Sequence, residues 1–209
     1  MSNLRAALAA DPVIAVVRAP RIPDAAALCA ALAEGGIRWV ELTYTTPNVT
    51  DHLERAAAVD TGCRLGVGTV LTAEQAKNGI AAGASFLVTP GCRPEVAEAA
   101  RLADTPVVLG ALTPTEVAQA VDLGAAAVKI FPAKTFGPGY FKDLRGPYPD
   151  VPLVASGGVN AANAGEFLAN GALAVCAGTD VVPPETVAAG DWPEITRRAR
   201  AFMAALGLG

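Results

Sequence analysis

The sequence is poor in the residues on which metal and redox sites usually depend. It has one histidine, His52, and four scattered cysteines (Cys29, Cys63, Cys92 and Cys176) without a C-x-x-C pair. Zinc sites and redox dithiols need clustered imidazoles or thiols, so we expect neither. We expect small, buried or half-buried thiols in a reducing cytoplasm, and a histidine on the surface of a helix.

Charge and hydropathy exclude further classes of protein. Sixteen Lys and Arg residues stand against twenty Asp and Glu, giving a net charge of −4 without any basic block. Neither nucleic acid nor an anionic membrane is therefore an expected partner. No apolar run approaches the length of a bilayer-spanning helix, and the first eleven residues lack the features of a signal peptide. The sequence predicts a cytoplasmic protein.

What the sequence has is an alternating pattern of strands and helices. A hydrophobic content of 52% over 209 residues predicts one globular domain, residues 1–209. Short apolar segments alternate with longer Ala-rich helical stretches, a pattern typical of a parallel sheet covered by helices. The predicted strands are Val13–Arg18, Trp39–Tyr44, Leu65–Val70, Phe86–Pro90, Val107–Ala111, Ala127–Pro132, Leu153–Gly157 and Ala174–Thr179.

Eight such units predict an α/β fold with a single closed (β/α)8 barrel, also called a TIM barrel. Residues before Val13 are predicted to form an extra helix at the lower end, and Trp192 to Leu208 the last helix. Thr72 and Thr113 are predicted helix caps, and Gly follows the end of several helices. A Rossmann fold is disfavoured because the first strand is followed by Arg18-Ala-Pro-Arg-Ile-Pro, which is not a G-x-G-x-x-G sequence.

Two charged residues fall on strand positions that face the barrel interior. Side chains alternate along a strand, so Glu41 and Lys129 should point inward while their apolar neighbours pack on the helices. A structural ion pair between them is one interpretation. The other is catalysis: an apolar enclosure disfavours the charged form of a lysine, which can then attack a carbonyl group, and a nearby carboxylate can move the protons.

The remaining lysines are weaker candidates for a nucleophile. Lys77 and Lys142 fall on predicted helices, and Lys134 lies in the loop after strand six, where a solvated charge is the simpler interpretation. A metal site built on carboxylates alone stays open, but strands three to eight offer no inward Asp or Glu to join Glu41.

Three regions at the upper rim could bind an anion. Arg18 ends strand one, where it could hold a carboxylate or a phosphate, or form a rim salt bridge. The loops after strands seven and eight contain Ser156, Gly157 and Gly158, and Gly178 and Thr179; loops at these places in a barrel often bind phosphate through backbone N–H groups. Thr69, at the end of strand three, is a further hydroxyl or a turn residue.

These segments resemble a known enzyme family, in order from about Val13 to Pro184. The phrases are Glu41-Leu-Thr-Tyr-Thr-Thr, Gly66-Val-Gly-Thr-Val, Val88-Thr-Pro-Gly, Val128-Lys-Ile-Phe-Pro-Ala and Ser156-Gly-Gly-Val. They are similar to the 2-keto-3-deoxy-6-phosphogluconate (KDPG) and 4-hydroxy-2-oxoglutarate (KHG) aldolases. Lys129-Ile-Phe-Pro followed by Phe136-Gly-Pro-Gly-Tyr also resembles the 2-dehydro-3-deoxy-6-phosphogalactonate aldolases.

The resemblance implies a lyase of carbohydrate metabolism, of the Entner–Doudoroff type: a class I aldolase without a cofactor or metal, usually a homotrimer. It implies that Lys129 is the Schiff-base lysine and Glu41 the general acid and base. The expected substrate is a phosphorylated 2-oxo acid, and one product is pyruvate. The implied substrate-binding residues are Arg18, Thr69, Pro90, Phe131, Ser156, Gly157, Gly158, Gly178 and Thr179.

At two positions this chain departs from the pattern of the family, and both departures bear on which substrate is bound more than on the class of reaction. Where the phosphogluconate branch commonly reads Glu-x-x-x-Arg-Thr, this chain has Thr45, and Arg18 is the candidate that could compensate. Ser156 stands where that branch often has Thr. Two other functions stay open: a phosphosugar isomerase or epimerase that uses Glu41 as its base, and a non-catalytic barrel that binds a ligand.

Overall fold

The computed structural model describes residues 4–208, and eight parallel strands form its centre. Each strand pairs with the next in chain order, and the eighth pairs with the first, which closes the barrel. The predicted barrel is therefore confirmed. The strands are β1 (Val13–Val17), β2 (Trp39–Thr43), β3 (Arg64–Gly68), β4 (Phe86–Val88), β5 (Val107–Ala111), β6 (Ala127–Ile130), β7 (Leu153–Ala155) and β8 (Ala174–Ala177).

The strands end earlier than the sequence predicted, β5 excepted. Arg18, Phe131 and Thr179 were assigned to strand ends, but they lie just beyond the last paired residue. The apolar run of the sequence extends beyond the last hydrogen-bonded strand residue because the first loop residues still cover the barrel. This placement puts the polar rim residues in loops, where their backbone groups are not used by the sheet.

Helices surround the barrel in the described part of the chain. They are α1 (Leu4–Ala10), α2 (Ala25–Glu34), α3 (Val49–Ala57), α4 (Ala73–Ala81), α5 (Pro94–Leu102), α6 (Pro114–Asp122), α7 (Gly139–Arg145), α8 (Ala164–Ala169), α9 (Pro184–Ala189) and α10 (Trp192–Ala205). The short α9 was not predicted. No helix among residues 4–208 has the length and apolar character needed to cross a membrane.

The lower half of the barrel is filled and closed. Leu4 and Leu8 of α1 are buried in one cluster with the inward side chains Ile14, Trp39 and Phe86. The Trp39 and Phe86 rings meet edge to face, with centroids 5.3 Å apart. The predicted extra helix, in its described part from Leu4, thus covers the lower end of the barrel.

The predicted helix caps are formed, and the one on α6 has the most contacts. Thr113 accepts a hydrogen bond from the Glu116 N–H, while the Glu116 carboxylate accepts from the N–H groups of Leu112 and Thr113. These hydrogen bonds lower the pKa of Glu116. Gly36, Gly83, Gly124 and Gly171, which follow α2, α4, α6 and α8, have the positive φ that the turn into the next strand requires.

This cap gives a stability prediction. We expect Glu116→Ala to lower the free energy of unfolding at neutral pH by about 1 kcal/mol, the usual contribution of a cap. Because the folded pKa of Glu116 is depressed, its contribution is present above the unfolded value and lost as the pH falls. Urea titrations of both proteins at pH 7 and in mild acid measure this. A difference that grows in acid contradicts the prediction. Glu54→Ala, which removes an exposed carboxylate on α3 that has no salt bridge among residues 4–208, is the control.

Candidate active site

One cavity of about 560 Å³ opens at the carboxyl ends of the strands. Every residue that the sequence placed in a site lines it. These residues are Arg18, Glu41, Thr69, Pro90, Lys129, Phe131, Ser156, Gly157, Gly158, Gly178 and Thr179. They come from seven of the strands or the loops that follow them, so the closed barrel is what brings them together.

At the bottom of this cavity, Lys129 of β6 faces Glu41 of β2. The lysine Nζ lies 3.7 Å from the Glu41 Oε2, and their side chains are only 8% and 1% exposed. Val128 and Ile130 pack outward into the helix layer, which confirms the predicted alternation. The pair therefore spans the barrel interior and does not belong to its outer surface.

The Glu41 carboxylate has unused hydrogen-bonding capacity. Among residues 4–208, neither of its oxygens has a hydrogen-bond partner, although both are buried. A buried carboxylate without hydrogen bonds is costly, and its ion pair at 3.7 Å offsets only part of that cost. A purely structural pair would be expected to have its lone pairs satisfied. The geometry leaves both oxygens available for a ligand or its protons.

Glycine at position 68 makes room for this carboxylate. A Cβ on Gly68 of β3 would overlap the Glu41 carboxylate, and one on Gly66 would overlap the Phe86 ring in the layer below. The two glycines on this strand are thus required for different reasons. Gly66 fits the packed core, and Gly68 positions the Glu41 side chain against Lys129.

Thr69 adopts a strained backbone at the cavity wall. Its φ is +56°, in the left-handed region that β-branched residues rarely occupy. Such strain persists only where the surrounding structure fixes it, and it is concentrated at functional sites. Here the next residue is held in place, because the Val70 N–H donates to the Val88 carbonyl. The Thr69 side chain is thereby presented to the cavity.

Two aromatic and apolar residues enclose the lysine from above. The Lys129 Nζ lies 5.6 Å from the centroid of the Phe131 ring, which is 39% exposed at the rim. Pro90 stands across the cavity, and a Cβ on the neighbouring Gly110 would overlap the Pro90 carbonyl group. The lysine thus meets the cavity beside apolar surface.

The cavity also contains residues that the sequence reasoning missed. They are Val16, Val159, Cys176, Val182 and Pro184. Cys176 follows the inward Ala174 by two positions, so the same alternation that selected Lys129 could have found it. Burial raises the pKa of its thiol to about 11, although the Lys129 ammonium and a hydrogen bond with Ser156 act in the opposite direction. The thiol is neutral at physiological pH and does not rival Lys129 as a nucleophile.

The loops after β7 and β8 form the outer wall. Gly157 and Gly158 are consecutive residues with φ of +88° and +82°, a conformation that only glycine adopts easily. Among residues 4–208, the N–H groups of Gly157, Gly158 and Thr179 have no backbone or side-chain acceptor. Free N–H groups at neighbouring loops are what an anion requires.

Arg18 supplies the positive charge at the same rim. It is exposed, lines the cavity and forms no salt bridge with any residue in the range 4–208, so the alternative of a rim salt bridge is not formed there. Thr45, where the resembling sequences have arginine, is an exposed residue whose hydroxyl lies 2.8 Å from that of Thr43. Among the described residues that line the cavity, Arg18 is thus the one that carries a guanidinium group.

The other candidates lie elsewhere. Lys77 and Lys142 are exposed on α4 and α7, and His52 lies on α3, as predicted. Lys134 is exposed in the turn after β6 and packs its aliphatic stem against Gly158 without lining the cavity. The described residues include no group of three or more His, Cys, Asp or Glu side chains that could hold a metal.

Comparison with known proteins places this chain in a family. The sequence model described as "Aldolase: KDPG and KHG aldolase" matches residues 4–198. The chain belongs to the KDPG and KHG aldolase family. It is accordingly an aldolase, and thus a lyase, and the resemblance found in its strand motifs is confirmed.

Individual relatives of this aldolase agree with that assignment. The 2-dehydro-3-deoxy-phosphogluconate aldolase of Treponema pallidum (strain Nichols) is 36% identical over 200 residues, which are 94% of each chain. A KDPG aldolase from Legionella pneumophila, solved with pyruvate captured as a covalent carbinolamine, is 32% identical with a TM-score of 0.88, over 95% of this chain and 97% of that one. A structure described as native KDPGal is 30% identical with a TM-score of 0.86, over 93% of both chains.

Proposed function

We propose that this aldolase works through a Schiff base on Lys129 and that Glu41 is its general acid and base. The observation that carries the proposal is the buried Lys129–Glu41 pair at 3.7 Å, facing a cavity with both carboxylate oxygens free of hydrogen bonds. An amine that attacks a carbonyl must lose a proton, and a carboxylate within reach is the group that accepts it. The Legionella relative, captured as a carbinolamine with pyruvate, supports the same chemistry.

The reaction begins when the neutral Lys129 amine attacks the C2 carbonyl of a 2-keto-3-deoxy sugar acid. Glu41 gives a proton to the departing hydroxyl of the carbinolamine, which leaves as water, and an iminium forms. The electrons of the C3–C4 bond then move into the iminium to give an enamine. Glu41 takes the C4 hydroxyl proton, directly or through water, and the aldehyde leaves. Protonation of the enamine and hydrolysis of the imine release pyruvate and regenerate Lys129.

The two ends of the cavity hold the two ends of the substrate. Thr69 and Arg18 bind the carboxylate, since one offers a hydroxyl and the other a guanidinium without a salt bridge among residues 4–208. Pro90 and Phe131 enclose the methylene carbon of the pyruvate half. The loops of Ser156–Gly158 and Gly178–Thr179 bind the phosphate at the far end through their free N–H groups.

The substrate that fits this arrangement is KDPG, which would be cleaved to pyruvate and glyceraldehyde 3-phosphate. 4-Hydroxy-2-oxoglutarate, cleaved to pyruvate and glyoxylate, is a second substrate of the same chemistry, and the phosphogalactonate isomer is the alternative supported by the KDPGal relative. This reaction needs no cofactor or metal, and we propose a homotrimer as the active form, as the resemblance to the family implies. Comparing kcat/KM for the three substrates determines which one the enzyme prefers.

Trapping with borohydride tests the Schiff base directly. We expect pyruvate and borohydride together to give one reduced adduct, on Lys129, because borohydride reduces the imine to a stable amine. Peptide mass spectrometry locates the adduct, and borohydride without pyruvate is the control. An adduct on Lys134, or no adduct at all, rules out the assignment.

A further inference from the structure

One side chain ties the two loops of the outer wall together. The Asp180 Oδ2 accepts a hydrogen bond of 2.7 Å from the backbone N–H of Ala161. Asp180 directly follows Thr179 in the loop after β8, whereas Ala161 lies in the loop after β7, three residues beyond Gly158. Within residues 4–208 this is the only side-chain hydrogen bond between the two loops. Asp180 does not itself line the cavity.

The Asp180 backbone is anchored to the last helix. Its carbonyl accepts a hydrogen bond of 3.2 Å from the Arg198 Nη1, and the Arg198 guanidinium also pairs with Glu194 of α10 at 2.8 Å. The Val181 and Val182 N–H groups donate to the Gly178 carbonyl, which closes a tight turn. The loop after β8 is therefore held on the barrel, and the carboxylate projects from a fixed support.

The loop after β7 is braced mainly within itself. The Asn160 side chain accepts from the N–H groups of Ala162 and Asn163, and the Asn163 side chain donates to the Gly158 carbonyl. These bonds keep the shape of the loop. Two backbone hydrogen bonds also hold the loop against the turn after β6. None of these bonds reaches the loop after β8, and among residues 4–208 the side chain that links the two loops is Asp180.

We infer that Asp180 is a positioning residue that sets the separation of the two loops, so that the enzyme binds a phosphorylated substrate in preference to an unphosphorylated one. The inference rests on the proposed phosphate site. Free N–H groups on both loops must converge on one phosphate, and a change of their spacing weakens every contact. A substrate that ends before these loops makes no such contacts and is indifferent to their spacing.

The sign of the effect separates this role from simple electrostatics. A carboxylate near a phosphate repels it, so if charge were the main effect, removing Asp180 would lower KM for the phosphorylated substrate. If Asp180 holds the loops, removing it raises KM. Asparagine distinguishes the two further, because it has no charge but keeps an oxygen that accepts the Ala161 N–H.

The experiment compares Asp180→Ala, Asp180→Asn and wild type on KDPG and on 4-hydroxy-2-oxoglutarate. We expect Asp180→Ala to raise KM for KDPG by about tenfold, the effect of losing one hydrogen bond to a charged group, with kcat little changed. Asp180→Asn should restore KM to near the wild-type value. Neither variant should change KM for 4-hydroxy-2-oxoglutarate. Asp122→Ala, which removes an exposed carboxylate at the end of α6, is the matched control.

Three outcomes overturn the inference. They are an unchanged or lower KM for KDPG in Asp180→Ala, a rise of KM in Asp180→Asn as large as in Asp180→Ala, and equal losses with both substrates. The thermal midpoint and pyruvate trapping on Lys129 are measured for each variant, and both should match wild type. If wild type itself traps no pyruvate or cleaves no KDPG, the proposed function fails, a result distinct from failure of the Asp180 role.

Discussion

We expect Lys129→Met to lose aldol cleavage while its barrel stays folded. Without the amine no carbinolamine forms, so kcat/KM should fall by about 10⁴-fold or more, the scale seen when a nucleophile is removed. Met matches the length and apolar character of the lysine stem and suits the barrel interior. Cleavage assays with KDPG and circular dichroism measure the two parts of the prediction.

The stability of this variant needs its own control, because it leaves the Glu41 carboxylate without its ion-pair partner. Removing one partner of a fully buried pair costs about 3–5 kcal/mol. Here the carboxylate faces an open cavity, so a smaller loss is expected. The double variant Lys129→Met, Glu41→Gln removes the lone charge and should recover stability without recovering activity.

A lysine control and a substrate control complete the experiment. Lys77→Met changes an exposed lysine on α4 and should be fully active. Full cleavage of KDPG by Lys129→Met contradicts the Schiff-base assignment. Full activity of Lys129→Met on a ketose phosphate would favour an isomerase or epimerase that uses Glu41. Unfolding of both Lys129→Met and the double variant would support the structural interpretation of the pair.

We expect the Glu41→Gln variant to bind substrate normally but to lose most of the catalysed proton transfer. The amide has the same shape as the carboxylate but cannot accept a proton, so kcat should fall by about 10²–10⁴-fold with a small change in KM. In the proposed mechanism, carbinolamine dehydration and C3–C4 cleavage both need proton transfer by Glu41. Unlike Lys129→Met, this variant should still form the borohydride adduct with pyruvate, only more slowly, because the lysine remains.

Time courses of pyruvate trapping in wild type, Glu41→Gln and Lys129→Met measure that difference. Equal trapping and cleavage rates in wild type and Glu41→Gln would contradict the assigned role. Glu34→Gln, which changes an exposed carboxylate paired with Arg200 on the helix surface, is the control for removal of one negative charge.

The barrel and most of the cavity were predictable from local patterns. Alternating apolar strands and Ala-rich helices, with Gly after several helices, are dictated by backbone geometry, and eight repeats leave few other folds. The inward direction of Glu41 and Lys129 follows from the two-residue period of a strand. Cys176 obeys the same period on β8, but its uncharged thiol is an ordinary core side chain and did not mark the position as a candidate.

Other features have no local signature. The short helix α9 lacks a long apolar period, and the strand ends could not be separated from apolar loop residues that still cover the barrel. The strained φ of Thr69 and the hydrogen bond from Ala161 to Asp180 depend on contacts between segments that are distant in sequence. No spacing rule connects such positions.

The sequence by itself determined the strand–helix repeat and the inward direction of the charged residues on β2 and β6, because both follow from the local periodicity of the backbone. Eight repeats then favour a closed barrel over other folds. Only the tertiary structure decided that Glu41 and Lys129, 88 positions apart, lie at 3.7 Å and that neither carboxylate oxygen has a hydrogen bond within the described part of the chain. It also decided that Arg18 faces the cavity without a salt bridge and that Asp180 joins two loops. These features depend on how the barrel closes, which sets distances across its interior that no local pattern encodes.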